Sequence, residues 1–209
     1  MLPDNFYGKK VLAIYRCGSA IHGVQSDESD KDYVVILKNY RDIRLDKREK
    51  IDYFLFGLEP FKRALQFDNR ILDYYLIWMD NTLLAVDNLE YIDEEFKEEF
   101  YRIIHIDWQK YLTAWLKINV DYFSACYDAL VNEKSLYNLY RIRSLIQHYQ
   151  DTGRFEYHLS DDDRELIIDY KNKQANLEKH RGNFKEILEY LKAFLDKKEV
   201  NKWTQFLLH

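Results

Sequence analysis

The sequence predicts an α+β protein in which a small mixed β-sheet is followed by a C-terminal helical region. Two observations indicate this class. Short apolar and β-branched runs alternate with turn residues in the first third of the chain, and apolar residues recur at helical spacing from about residue 93 onward. The 209 residues suit one large domain or two small ones. We expect residues 1–90 to form the core around the sheet and residues 91–209 to form helices that complete a cleft.

Three runs are candidate strands of one sheet. Residues 11–15 are apolar, residues 33–37 are rich in β-branched side chains, and residues 51–56 form a third run that Gly57 ends. Residues 42–50 are highly charged, and we expect them to be a connector.

Turn and capping residues predict where the later helices begin and end. Gly153 stands where a helix ending near residue 151 would need a left-handed residue. Ser160 is expected to cap the next helix, and Asn183 with Glu186 resembles a capping box that would begin the last one.

Charge limits the partners that the chain can bind. A net charge of −5 gives no general attraction to phosphate backbones. We therefore expect no extended nonspecific DNA binding, and an RNA contact would have to rest on a local basic patch.

Location and origin are also predicted from composition. Cys17 and Cys126 are far apart and fit neither a zinc site nor a disulfide framework, so reduced thiols are expected. The first ten residues lack a signal-peptide apolar region, and no run approaches the roughly 18 apolar residues of a membrane span. We expect a cytoplasmic protein with no membrane partner. Two prolines among many Tyr, Asn, Lys and Ile residues favour an AT-rich genome, that of a phage in its host cytoplasm or of a low-GC bacterium.

Two short motifs lie at the ends of the first two candidate strands. Gly18-Ser19 follows the first, where a residue without Cβ permits a tight turn and lets backbone amides approach an anion. Asp30 and Asp32 lead into the second, and residues two apart in a strand point to one face with Cα atoms about 6.6 Å apart. Such carboxylates can bracket one or two Mg²⁺ ions. Either motif alone is usually a turn or a solvated pair, but their order at two strand ends is specific.

This segment resembles the Gly-Ser, spacer, Asp-x-Asp pattern of nucleotidyltransferases of the DNA polymerase beta superfamily. Within that superfamily it is most similar to a bacterial and phage group of predicted nucleotidyltransferases, whose motif runs Gly-Ser, two or three residues, Gly, spacer, Ser-Asp-x-Asp. Gly23 and Ser29 stand at the second glycine and at the serine.

The similarity continues, less specifically, beyond this motif. Lys62 stands where the group carries a Lys-rich helix, and Arg141 lies in a segment like the group's helical arginine segment. Asn69 matches an Asn-Pro step of the group, but Arg70 replaces its proline and Asp73 replaces a nearby glutamate.

The resemblance implies a nucleotidyltransferase, an enzyme that moves a nucleoside monophosphate from an NTP to an acceptor hydroxyl and releases pyrophosphate. The acceptor would be an RNA end, a small molecule or a protein, and Mg²⁺ or Mn²⁺ would assist. A third carboxylate is expected on a later strand as metal ligand or general base. Asp52 is the candidate because it begins the third strand, and an ordinary charge at a strand edge is the alternative.

Other polar residues are candidates for nucleotide binding. His22 lies in the turn after Gly18 and would donate to a phosphate or to the acceptor, or else is a solvated loop histidine. Ser29 is expected to cap the turn into the second strand. Lys62 and Arg141 would neutralise triphosphate charge, or else form surface ion pairs.

A second hypothesis is a module without catalysis. It would bind nucleotide or RNA, or act as one half of a toxin–antitoxin pair. Arg143 and His148 have the Arg-x4-His spacing of HEPN ribonucleases, but five steps of about 100° put them about 140° apart around one helix. The presence of both Asp30 and Asp32 favours the enzyme.

Overall fold

The computed structural model describes residues 3–25, 29–65, 88–103, 108–126, 133–153, 159–172 and 177–196. The chain divides into two compact units, Met1–Asp107 and Trp108–His209. Within the described residues the first unit holds a mixed sheet with helices and the second holds helices, so the α+β class is confirmed. The boundary expected near residue 90 falls inside the first unit, because residues 89–92 form a strand of the sheet.

The sheet of the first unit is antiparallel except for one central parallel pair. Its strands are β1 (Asn5–Phe6), β2 (Lys9–Cys17), β3 (Lys31–Leu37), β4 (Ile43–Arg48), β5 (Ile51–Gly57) and β6 (Leu89–Ile92). They lie in the order β6-β2-β3-β5-β4, with β1 paired to the first residues of β2, and β3 is parallel to β5. Tyr7 and Gly8, both with positive φ, form the turn of the β1–β2 hairpin, a geometry that suits the twist of paired strands.

The three strands predicted from the sequence are confirmed, but the expected connector at residues 42–50 is wrong. Residues 43–48 form β4, which pairs along its length with β5 at the edge of the sheet. Ile43 and Leu45 alternate with charged residues there, and edge strands in natural proteins often carry such charges. Because four of the six residues of β4 are charged, the alternation of apolar and polar side chains that is typical of a strand was not recognised.

Both faces of the sheet are covered by aromatic side chains. On one face Phe6 packs edge-on against Tyr53 with ring centroids 4.9 Å apart. On the other, Tyr15 contacts Phe100 and Phe56 contacts Phe61. These last contacts anchor two helices, α1 (Leu58–Leu65) and α2 (Lys97–Ile103), against the face that also carries the side chains of Asp32 and Asp52.

The second unit, within the described residues, consists of four helices: α3 (Trp108–Cys126), α4 (Glu133–Thr152), α5 (Asp161–Lys171) and α6 (Leu177–Asp196). Its core includes Trp115, Tyr170 and Phe184, all buried. No helix in the part of the chain that the structure describes is long and apolar enough to cross a membrane.

The helix ends of the second unit match two of the three sequence predictions. Gly153 follows α4 with φ 69°, and Ser160 caps α5 by accepting a hydrogen bond from the backbone N–H of Asp163 at 3.2 Å. The capping box at Asn183 is wrong, because α6 already begins at Leu177. The amide of Asn183 instead donates to the hydroxyl of Tyr140 at 2.8 Å, a contact between helices.

Two glycine substitutions should change stability in opposite directions. A Cβ at Gly57 would lie 2.6 Å from the backbone carbonyl carbon of Tyr40, which cannot move aside as a side chain can. Gly57→Ala should therefore lower the free energy of unfolding by about 1–3 kcal/mol. Gly182→Ala, in α6 with nothing within 4 Å of the added Cβ, should raise it by about 0.5–1 kcal/mol. Urea unfolding measures both, and equal effects would contradict the close approach at Gly57.

Candidate active site

The pairing of the strands brings a cysteine, two aspartates and a lysine together at one end of the sheet. Cys17, Asp32, Asp52 and Lys47 are successive partners across β2, β3, β5 and β4. Residues directly opposite each other in a sheet share a face, so these four side chains point to the same side. Asp32 and Asp52 are in-register neighbours on parallel strands, and their Cα atoms are therefore about 4.8 Å apart.

Asp30 lies at the same end but just outside the strand. β3 begins at Lys31. The N–H of Lys31 donates to the carbonyl of Lys50 at 2.9 Å, just before β5, so the pairing of β3 with β5 starts there. Asp30 is exposed, whereas Asp32 is half-buried. Of the side-by-side pair expected from the sequence, Asp32 is thus in β3, whereas Asp30 lies just before the strand begins.

Gly18 and Asp32 are in close contact. Gly18 has φ 70°, a conformation that residues with a Cβ rarely adopt. A Cβ added there would lie 2.8 Å from Cγ and 2.9 Å from Cβ of Asp32. The carboxylate of Asp32 therefore occupies the space that a larger residue at position 18 would need, and the two sequence motifs form one structural unit.

The residues after Gly18 form a short 3₁₀ helix, Gly18–His22. The N–H of Gly23 donates to the carbonyl of Ala20 and the N–H of Val24 donates to the carbonyl of Ser19, both at 3.2 Å, which fixes the turn. His22 is only 1% exposed, so the alternative of a solvated loop histidine is wrong, and its contact with a phosphate or the acceptor stays a prediction. Ser19 and Ser29 are both half-buried.

Lys47 is a site residue that the sequence analysis missed. Its Nζ lies 3.0 Å from Oδ2 of Asp52, and the two side chains are 68% and 15% exposed. This hydrogen bond raises the pKa of Lys47, and the negative charges of Asp52, Asp30 and Asp32 raise it further. All three carboxylates therefore stabilise the charged form of Lys47. Only the recognition of β4 as a strand could have placed Lys47 beside Asp52.

Lys62 and Arg141, which were also assigned to nucleotide binding, lie on helices of different units. Lys62, on α1, contacts Glu99 at 2.6 Å and Glu59 at 3.4 Å. Arg141, on α4 in the second unit, is only 5% exposed, so the alternative of a surface ion pair is wrong for it. Their role in triphosphate binding stays a prediction. Asn69, Arg70 and Asp73 lie outside the described residues.

Arg143 and His148 lie on one continuous helix, α4. The guanidinium of Arg143 stacks over the ring of Tyr140, 4.8 Å from its centroid, and approaches Asp163 at 3.4 Å. Asp163 also accepts hydrogen bonds from Ser144 at 2.6 Å and Ser160 at 3.0 Å. These contacts give Arg143 a structural role in joining α4 to α5.

The carboxylates at the sheet end suit a divalent cation in kind, because Mg²⁺ prefers oxygen ligands. Within the described residues, no three or more His, Cys, Asp or Glu side chains form a group that could hold a metal ion. Proteins commonly bind Mg²⁺ through one or two carboxylates together with oxygens of the substrate phosphates. Asp30 and Asp32 could supply that number of protein ligands.

One solved structure with similarity to the chain is a nucleotidyltransferase-like protein from Exiguobacterium sibiricum. The identity is 12% and the TM-score is 0.30, over 95% of this chain and 73% of that one. No family model matches the chain, and no curated protein matches its sequence. A similarity this low carries no conclusion about the function of the chain.

Proposed function

We propose that this protein is a divalent-metal-dependent nucleotidyltransferase that uses an NTP as donor. The observation that carries the proposal is the contact of Gly18 with Asp32, together with the register that makes Asp32 and Asp52 neighbours. A glycine turn, a carboxylate pair and a third carboxylate are the parts that the resemblance to nucleotidyltransferases implies. Gly18, Asp32 and Asp52 meet here from segments separated in sequence, which a chance Asp-x-Asp would not do.

In this proposal Asp30 and Asp32 hold the cation, and the turn at Gly18 and Ser19 faces the triphosphate. When bound, Mg²⁺ or Mn²⁺ would neutralise phosphate charge and favour the departure of pyrophosphate. The acceptor hydroxyl oxygen forms a bond to the α-phosphorus of the NTP while the bond from that phosphorus to pyrophosphate breaks. The hydroxyl proton passes to the carboxylate of Asp52, which acts as the general base.

The environment of Asp52 supports this assignment. Asp52 is the second residue of β5, and its side chain is 15% exposed at the end of the sheet. The next residues on its face, Phe54 and Phe56, lie deeper in the strand, where Phe56 is fully buried. Asp52 is thus a carboxylate at the end of a strand face that is otherwise apolar. At that end it can receive a proton and exchange it with water.

Labelling identifies the reaction and its acceptor. The protein is incubated with Mg²⁺ and each α-labelled NTP in turn, with total cellular RNA, a small-molecule extract or a protein lysate. Transfer by the wild type and none by the double variant Asp30→Asn/Asp32→Asn would support the proposal. Equal labelling by both proteins would overturn it. Nucleotide binding without transfer to any fraction would favour the binding module instead.

Asp52→Asn should separate binding from chemistry. If Asp52 is the base, kcat should fall by about 10²–10⁴-fold, the usual contribution of general-base catalysis, with little change in KM for the NTP. Asp42→Asn is a matched control, because Asp42 is an exposed carboxylate that is not one of the paired residues Cys17, Asp32, Asp52 and Lys47. Normal turnover by Asp52→Asn would remove the base assignment, and Glu49 and Glu59 would be the next carboxylates to test.

A further inference from the structure

The ion pair between Lys47 and Asp52 is unequal in a way that bears on cation binding. Asp52 is fixed within the sheet and mostly buried, whereas the side chain of Lys47 is 68% exposed. Among the described residues the ammonium of Lys47 makes no second ion pair. A flexible lysine held at its tip by one charged contact can move into solvent at little cost.

The position of Lys47 is set by the backbone, not by chance contact. Lys47 stands directly opposite Asp52 in the β4–β5 ladder, so its side chain must rise on the face that carries the carboxylates. Its neighbours in β4, Asp46 and Arg48, point to the other face, where the guanidinium of Arg48 stacks over Phe6 and Tyr53. β4 therefore delivers one cation to the carboxylate end.

A cation placed there changes what a divalent ion meets. The neighbouring carboxylates of Asp32 and Asp52 repel one another, and a single ammonium offsets part of that charge. A divalent ion approaching Asp30 and Asp32 is repelled by the ammonium that is paired with Asp52 nearby.

We propose that Lys47 is an internal counter-ion that neutralises Asp52 until a divalent cation, arriving with the nucleotide, displaces it. The inference rests on the proposed function and adds a positioning residue to it. In the resting protein Lys47 holds the carboxylate of Asp52 on the shared face. When the metal–nucleotide complex binds, the ammonium moves into solvent and Asp52 becomes available to the acceptor.

Mn²⁺ binding at a fixed concentration of a non-hydrolysable NTP analogue tests this directly, because the analogue supplies the phosphate oxygens of the proposed site and no turnover is needed. Free Mn²⁺ is followed by electron paramagnetic resonance in titrations of the full chain. Lys47→Met should tighten Mn²⁺ binding about five- to tenfold, since it removes the competing charge. Lys47→Arg, which keeps the charge, should bind like the wild type. Lys38→Met is the matched control, because Lys38 follows the opposite end of β3 and the same charge is lost far from the carboxylates.

A second variant separates competition from a structural role. In an Asp52→Asn background the partner of Lys47 is gone, so adding Lys47→Met should change Mn²⁺ affinity less than it does in the wild type. Thermal unfolding of each variant reports whether the fold is retained. An effect of Lys47→Met on stability alone would assign Lys47 to the edge strand and would overturn the proposal.

The remaining outcomes also decide. Unchanged or weaker Mn²⁺ affinity in Lys47→Met, an equal gain in Lys38→Met, or no Mn²⁺ binding by any variant would each overturn the internal counter-ion. If the wild type transfers nucleotide but Lys47→Met binds Mn²⁺ with the same affinity as the wild type, only the counter-ion proposal fails. A tightened Mn²⁺ site in a protein that labels no acceptor would sink the enzyme alone.

Discussion

Asp32→Asn is expected to abolish nucleotide transfer. The substitution removes the charge that we propose binds the metal, from the residue that lies between Cys17 and Asp52 in the sheet, while the amide of asparagine keeps the shape of the carboxylate. Metal-assisted stabilisation of a transition state is worth several kcal/mol, so we expect a loss of at least about a thousandfold in kcat/KM. Initial rates with saturating acceptor and varied NTP measure it.

The control for this variant is Asp46→Asn. Asp46 is a neighbouring strand carboxylate on the opposite face, where it pairs with Arg48 at 3.0 Å. That variant should transfer nucleotide at close to the wild-type rate. A folded Asp32→Asn protein with wild-type activity would remove Asp32 from the site, and equal losses in both variants would point to a general loss of structure.

Gly18→Ala should inactivate the protein through Asp32. The new Cβ would lie 2.8 Å from Cγ of Asp32, so either that carboxylate or the turn must move. The left-handed backbone at φ 70° adds about 1–2 kcal/mol of strain. We expect transfer to fall by at least about a hundredfold, because a displaced catalytic group loses its alignment with the substrate.

Gly8→Ala separates these two causes. Gly8 has the same φ of 70° in the same unit, but nothing lies within 4 Å of an added Cβ. Both variants should therefore lose stability from backbone strain, measured by chemical unfolding, with a further loss in Gly18→Ala from the contact with Asp32, and only Gly18→Ala should lose transfer. Equal activity in the two proteins would show that the position of Asp32 against Gly18 is not needed.

Local sequence patterns were sufficient to predict the parts of the site that lie next to one another in the chain. The apolar runs, the glycine turn and the period of two placed Gly18, Asp32 and Asp52 at strand ends. That Asp32 and Asp52 are neighbours depends on the parallel pairing of β3 with β5, which no local pattern encodes.

The failures have physical causes as well. β4 was missed because its exposed edge position tolerates charges that are usual in loops, and Lys47 was missed with it. Asn183 was assigned to a helix start because its type and its spacing to Glu186 fit a cap. The hydrogen bond to Tyr140 comes from another helix, and tertiary contacts of this kind override a local preference.

The two-residue connection between β4 and β5 has a consequence for how the protein folds. Lys47 and Asp52 are five positions apart and meet within one hairpin, whereas Asp32 and Asp52 are twenty positions apart and meet only when β3 docks. Closing a short loop costs less chain entropy than closing a long one, so the hairpin is expected to form before the parallel pair. Asp52 would then reach Asp32 already accompanied by a positive charge, and the folding chain would not have to bring two bare carboxylates together.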